Sequence, residues 1–283
     1  MRRALAVGVG ATLIVAALGV WTVGGLLVAP AHRPVTAPPD LPVAPATIDS
    51  PNGALAAWAL RADSARGTVV LMHGVRADRA SQADRARLFH GAGYHVVAFD
   101  FQAHGESPGE ALTFGFREAE DAVAAVAFAR ARFGGPVAVV GQSMGGAAAL
   151  LAGERLGADA LVVEAVYASI EDATRARLAM RLGRLGAWLT PLLTAHLEPR
   201  LGVSADRLRP AEAAAHVAAP LFVLVGSSDA HAPPEAARAI AEAAPQAALW
   251  VVEGAVHQDL YRFAPDAYRQ RVLGFLDRHL PAR

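Results

Sequence analysis

From Ala54 onward the chain repeats one pattern: a short apolar run, a polar turn, then a longer stretch with apolar residues three or four positions apart. The runs "ALAAWAL" (Ala54 to Leu60), "GTVVLMHG" (Gly67 to Gly74) and "HVVAFD" (His95 to Asp100) are predicted strands. So are "VAVVGQ" (Val137 to Gln142), "ALVVEAV" (Ala160 to Val166), "PLFVLVG" (Pro220 to Gly226) and "ALWVVEG" (Ala248 to Gly254). Helices are predicted around Ala80 to Ala92 and over Phe116 to Phe133, where Ala119, Val123, Val126 and Arg130 fall at helical spacing. Another follows Gln142 as far as Leu156, and one follows each late strand, the last ending near Leu280. Strands this apolar are covered on both faces, so the repeated strand–helix unit predicts an α/β domain with a mainly parallel sheet. In such sheets reactive groups collect at the carboxyl ends of the strands.

Two segments break the pattern. After Met1, Arg2 and Arg3, the stretch Ala4 to Ala29 carries no charge. It is long enough for a transmembrane helix through a hydrocarbon core of about 30 Å. Basic residues ahead of it would hold the N-terminus in the cytoplasm and place the rest outside the membrane. A cleavable signal peptide is the alternative, although its apolar region usually runs only about 7–15 residues. Pro30 to Pro51 is rich in proline and reads as a stiff spacer, leaving 52–283 as the α/β domain. The second break, about 167–219, has the length and place of a helical lid over the strand ends. Within it Leu178, Leu182, Leu185, Leu189 and Leu192 share one helical face, while Arg177, Arg181 and Arg184 lie on another. Pro191 is expected to kink or end that helix. The leucines suit a cap packed on the domain, and the arginines an anionic lipid surface.

Composition narrows the chemistry. The 26 basic residues balance 26 acidic ones, so nothing draws the chain to nucleic acid. Every basic residue is arginine, which removes lysine as a Schiff-base or general-base group. There is no cysteine, which excludes disulfides, thiol catalysis and zinc–thiolate sites. No H-E-x-x-H or similar ligand spacing occurs, and neither a metal nor a cofactor is expected.

What remains is a set of residues placed just after strands. Ser143 follows one strand inside "GQSMGG", Asp229 follows the next late strand in "VGSSDAHAPP", and His257 follows the last in "VEGAVHQDL". A serine hydroxyl becomes a useful nucleophile when a histidine accepts its proton and a carboxylate orients that histidine. Ser143 is the candidate nucleophile, His257 the base and then acid, and Asp229 the orienting carboxylate. Gly141 and Gly145, two residues on either side of Ser143, suit a turn too tight for side chains. Glu164, at the end of an earlier strand, is the rival acid, whereas Asp259 stands too close in sequence to His257 to orient it easily.

These motifs, with "HG" at His73 and Gly74 and "DFQAHGES" at Asp100 to Ser107, resemble the α/β-hydrolase superfamily. The likeness is greatest to its small esterase and serine-aminopeptidase-like members. The resemblance implies an α/β-hydrolase fold and a hydrolase acting through an acyl-enzyme on a small ester or acyl substrate, which the N-terminal segment is expected to anchor in the membrane. It places the oxyanion hole at the N–H groups of Met144 and Val75. Peptide or thioester cleavage and acyl transfer use the same machinery, and a non-catalytic binding protein of this fold is the competing class. Val256 stands where many relatives have glycine, and Arg76 or Arg79 could face the pocket and favour anionic substrates. His73 and His104 are expected in the loop floor, and His231 in a surface turn, with an approach to the site as its alternative.

Overall fold

The structure, a computed structural model, describes residues 18–280. A helix α1 covers 18–28, followed by two short or edge strands, β1 (Ala31–His32) and β2 (Ala44–Ser50). The main sheet continues with β3 (Gly53–Leu60), β4 (Thr68–Met72), helix α2 (Ala83–Gly91), β5 (His95–Phe99) and the short β6 (His104–Gly105). Then come α3 (Glu118–Phe133), β7 (Val137–Gln142), α4 (Met144–Ala152) and β8 (Ala160–Glu164). The lid region holds α5 (Ile170–Ala187), α6 (Thr190–Thr194), α7 (Leu197–Leu201) and α8 (Pro210–Ala213). The chain closes with β9 (Leu221–Gly226), α9 (Pro234–Ala243), β10 (Ala248–Val252) and the helices α10 (Leu260–Phe263), α11 (Pro265–Tyr268) and α12 (Gly274–His279).

The eight-stranded sheet has the order β10-β9-β8-β7-β4-β5-β3-β2, and only β3 pairs antiparallel with its neighbours. Alternate residues of one strand feed two cores. Val70 and Met72 join the layer of α3, α4 and α9, while Val69 and Leu71 join the layer of α2 and α12. The order runs outward in both directions from β4, toward β5 on one side and β7 on the other. A crevice therefore opens between the carboxyl ends of β4 and β7, the usual ligand position in such sheets. Register sets its depth: Met72 pairs with Gly141, so the loop after β4 and the turn after β7 leave the sheet at one level.

The segment ahead of the sheet departs from expectation. Among the described residues no helix is long and apolar enough to cross a membrane. That overturns the expected N-terminal transmembrane helix, and the single-pass, extracytoplasmic placement that rested on it. Residues 4–17 of the expected anchor lie outside the described residues, while 18–28 dock on the domain. Val28 is buried with Ile170, Leu197 and Leu208, and the Arg200 guanidinium lies 4.1 Å from the Trp21 ring centroid. Nor is 30–51 a free spacer. Ala31 and His32 pair with His104 and Gly105, and Ala44–Ser50 is the edge strand of the main sheet. Pro45 is tolerated there because an edge strand has one side with no ladder to supply.

The lid also differs from one continuous helix packed by its leucines. Gly183 (φ 68, ψ −165) breaks α5, and Pro191 opens α6 rather than ending a helix, since its fixed φ suits the first turn. Leu182 just before the break and Leu185, Leu189 and Leu192 beyond it are exposed, Leu185 at 82 %.

Candidate active site

The turn between β7 and α4 is a strained point at the crevice. Ser143 has φ 51 and ψ −114, positive φ on a residue with a side chain, and its neighbours explain how the turn fits. A Cβ on Gly145 would stand 2.5 Å from the Met72 carbonyl oxygen, and one on Gly141 would stand 2.7 Å from Gly146 Cα. Both glycines predicted from spacing are thus required by close backbone approach. The Ser143 N–H donates to the Glu164 carbonyl at 2.7 Å, tying the turn to β8.

The loop after β4 packs on this turn: a Cβ on Gly74 would lie 3.5 Å from Ser143 Cβ. Met144 is the first residue of α4, so its N–H has no intrahelical partner. Among the described residues no backbone carbonyl takes the Val75 N–H either. Both N–H groups are thus left without a backbone acceptor beside the Ser143 turn. The loop is floored by His73 and His104, as expected. His73 Nε2 accepts from Phe101 N–H at 3.1 Å, and His104 Nε2 accepts from Arg76 N–H at 3.1 Å. Burial first, and the neighbouring His104 second, push His73 down to about 3, so it stays neutral. Neither arginine of the loop serves the pocket. Arg76 donates to the Leu26 and Leu27 carbonyls at the end of α1, and Arg79 is buried against Asp100 and Glu106.

Asp229 and His257 meet at the far side of the crevice. His257 Nδ1 lies 2.8 Å from Asp229 Oδ2, while Asp229 Oδ1 accepts the N–H groups of His231 and Ala232 at 2.8 and 2.9 Å. Their loops are stitched together: Ser228 N–H donates to the Ala255 carbonyl, and Gly254 N–H to Ser227 Oγ, both at 2.9 Å. The left-handed residue of the histidine loop is Gly254 (φ 76), which leaves Val256 free of that demand and 48 % exposed. Among the described residues Ser143 Oγ makes no side-chain hydrogen bond, to His257 included. Glu164, the rival acid, points away into a buried pair with Arg85.

His231 does not sit in an isolated surface turn. Its ring centroid lies 4.8 Å from that of His257, and burial, followed by the His257 charge, lowers its pKa. The spacing Asp-x-His in "DAH" was the only signal for it in the sequence. Asp229, His231 and His257 also bring donor atoms within 4.8 Å of one another, the one group among the described residues able to take a metal ion. A metal there would compete with the Asp229–His257 hydrogen bond. Beside His231 a cleft of about 730 Å³ opens under the lid, lined by Tyr167, Ala173, Ala176, Ala179 and Trp188.

Similarity to known proteins points to the same fold. YqkD, an uncharacterized protein of Bacillus subtilis (strain 168), is 28% identical over 218 residues, which is 74% of this chain and 71% of that protein. The structure of the Pyrococcus furiosus esterase Pf2001 superposes with a TM-score of 0.75 at 24% identity, over 90% of this chain and 98% of that one. A Paleococcus ferrophilus monoacylglycerol lipase gives 0.59 at 22% identity, over 80% and 99%. A sequence model of the family described as serine aminopeptidase S33 matches residues 63–209, more than half of the chain. That match takes in Val75, Ser143 and Met144 and stops short of Asp229 and His257. The chain therefore belongs to the serine aminopeptidase S33 family of the α/β-hydrolase superfamily, and it is a hydrolase.

Proposed function

We propose that this protein is a serine esterase. Ser143 Oγ attacks the carbonyl carbon of a carboxylic ester while His257 takes the hydroxyl proton, and Asp229 holds the imidazole and steadies its charge. The tetrahedral oxyanion is held by the N–H groups of Met144 and Val75, each worth about 3 kcal/mol in the transition state. Collapse expels the alcohol, which receives the proton from His257 and leaves an acyl group on Ser143. Water, giving a proton to His257, then attacks the acyl-enzyme, and His257 passes that proton to Ser143 Oγ as the acid is released. No metal or cofactor enters these steps.

The observation that carries this reading is the backbone of Ser143. A conformation costing on the order of 1–3 kcal/mol persists only where the surroundings enforce it, and such strain clusters at active sites. Esters are favoured over peptides with a free amino end by the charges around the cleft. An α-ammonium group needs an unpaired carboxylate, yet Asp172 pairs with Arg175 and Glu235 with Arg238, each at 2.8 Å. The cleft walls themselves are mostly apolar.

The test is labelling of the full chain by a fluorophosphonate, beside Ser143→Ala and His257→Ala, with turnover of p-nitrophenyl esters and aminoacyl-p-nitroanilides. Labelling and ester turnover lost in both variants are expected. Turnover of the anilides alone would make the protein a peptidase, and a folded wild type that neither labels nor turns over would make it a binding protein.

A further inference from the structure

Arg85, on α2, is fully buried and bonded to two carboxylates that belong to different parts of the site's frame. Its Nε and Nη2 bind the two oxygens of Glu164 at 3.1 and 2.5 Å, and Nη1 binds Asp259 Oδ2 at 2.8 Å. Tyr268, also fully buried, donates its hydroxyl to Glu164 Oε1. Glu164 ends β8, and its main-chain carbonyl is the acceptor for Ser143 N–H. Asp259 stands two residues beyond His257, where its Oδ1 also caps α10 through Arg262 N–H at 3.1 Å.

One guanidinium thus spans the strand that fixes the nucleophile turn and the loop that carries the histidine. Before His257 that loop is held by Ser227, Ser228 and the Asp229 carboxylate. After it, Asp259 is the first side-chain anchor. Burying a guanidinium costs several kcal/mol, and the two-toothed pairing with Glu164 already compensates that charge. The third arm, to Asp259, adds little to that neutralisation, and its geometric effect is to set the distance between the two loops. A misplacement of about 1 Å between base and nucleophile lowers a rate by about 100-fold.

We propose that Arg85 is a positioning residue for the hydrolytic reaction, holding Asp259 so that His257 stays in register with Ser143. This rests on the Ser143–His257–Asp229 reading above. Arg85 is fully buried and stands apart from the residues that line the cleft beside His231.

The test keeps the full chain and uses two kinds of variant. Asp259→Ala removes the third arm and leaves the Arg85–Glu164 pair intact. It is expected to lower kcat about 10- to 100-fold with KM within about twofold of wild type, and to slow fluorophosphonate labelling in parallel. Arg85→Met alone would strand Glu164 in the core, so the second variant is the Arg85→Met, Glu164→Met double replacement, in which apolar groups take the place of the buried pair. It is expected to lose kcat as Asp259→Ala does. Adding Asp259→Ala to it is expected to cost no more than about twofold further, because the arm is already gone. Ser143→Ala in the same assay separates the two levels. Where Ser143→Ala is silent yet Asp259→Ala keeps full kcat, or the losses simply multiply, Arg85 is only structural. Where Ser143→Ala still turns over ester, the triad reading fails and this proposal with it.

Discussion

Ser143 holds φ 51 and ψ −114 because β7 ends and α4 begins without a connecting loop, and a glycine there would hold the same angles with less strain. Ser143→Gly is therefore expected to unfold at a higher temperature than Ser143→Ala, by the equivalent of about 1 kcal/mol, with both inactive. Calorimetry of the two variants checks it, and an Ala variant as stable as the Gly variant would show that the turn is relaxed. Gly145→Ala works in the opposite direction. Its Cβ would meet the Met72 and His73 carbonyl oxygens at 2.5 and 2.8 Å, so β4 and α4 must part. A loss of more than about 2 kcal/mol in urea unfolding is expected. These residues were legible in the sequence because a serine between two glycines after an apolar run has few other uses. His231 was not legible in the same way. Its place beside His257 depends on two loops 26 residues apart meeting across β9 and β10, which no local spacing encodes.

The same contrast holds for whole elements. The strands β4, β5, β8 and β9 announced themselves as apolar runs, because helices cover both faces of the sheet and every position on them is buried. The N-terminal segment misled for the converse reason. Its apolar and proline-rich composition is compatible with a span and a spacer, whereas its real partners are distant: Leu112 N–H on the Val28 carbonyl at 3.0 Å, and Arg33 on the loop after β4. Arg33 donates to the Arg76 carbonyl and pairs with Asp78 at 2.9 Å, while Arg76 returns to the end of α1. The loop carrying Val75 is thus braced from outside the sheet. Arg33→Ala is expected to lower kcat about tenfold, roughly 1.4 kcal/mol of transition-state stabilisation, with a small change in KM. A chain lacking residues 1–35 is expected to lose at least as much and to melt earlier, since Ile170, Leu197 and Leu208 lose Val28 as a packing partner. Steady-state ester kinetics decide it: an unchanged kcat in both variants would mean that the loop carrying Val75 stands without its brace.

Over the whole molecule, 26 basic and 26 acidic residues leave no net charge at neutral pH, so the response to acid is governed by individual buried groups rather than by general repulsion. His73 titrates near 6.5 in an unfolded chain and at about 3 in the fold, through burial first and His104 second. Below pH 6.5 the unfolded chain binds a proton that the folded chain refuses. The stability is therefore complete above about 6.5 and drains away toward pH 3, by about 1.4 kcal/mol for each pH unit. His95, His104 and His231 are lowered in the same direction, each chiefly by burial. Asp121 opposes them. Burial raises it to about 6, so between pH 6 and 3.8 the folded state takes up its proton first and gains stability on acidification. Asp100 is raised by burial in the same sense. Asp121 acts only from about pH 6 downward, whereas four histidines act from about 6.5, so the balance lies with the histidines. The melting temperature is expected to be highest at neutral to mildly alkaline pH. It should fall between pH 7.5 and 5.5 by about 2–4 °C for each kcal/mol lost. A melting temperature that held steady or rose over that range would place the controlling titration on Asp121 and Asp100, and the loop floor beneath Val75 would then withstand acid.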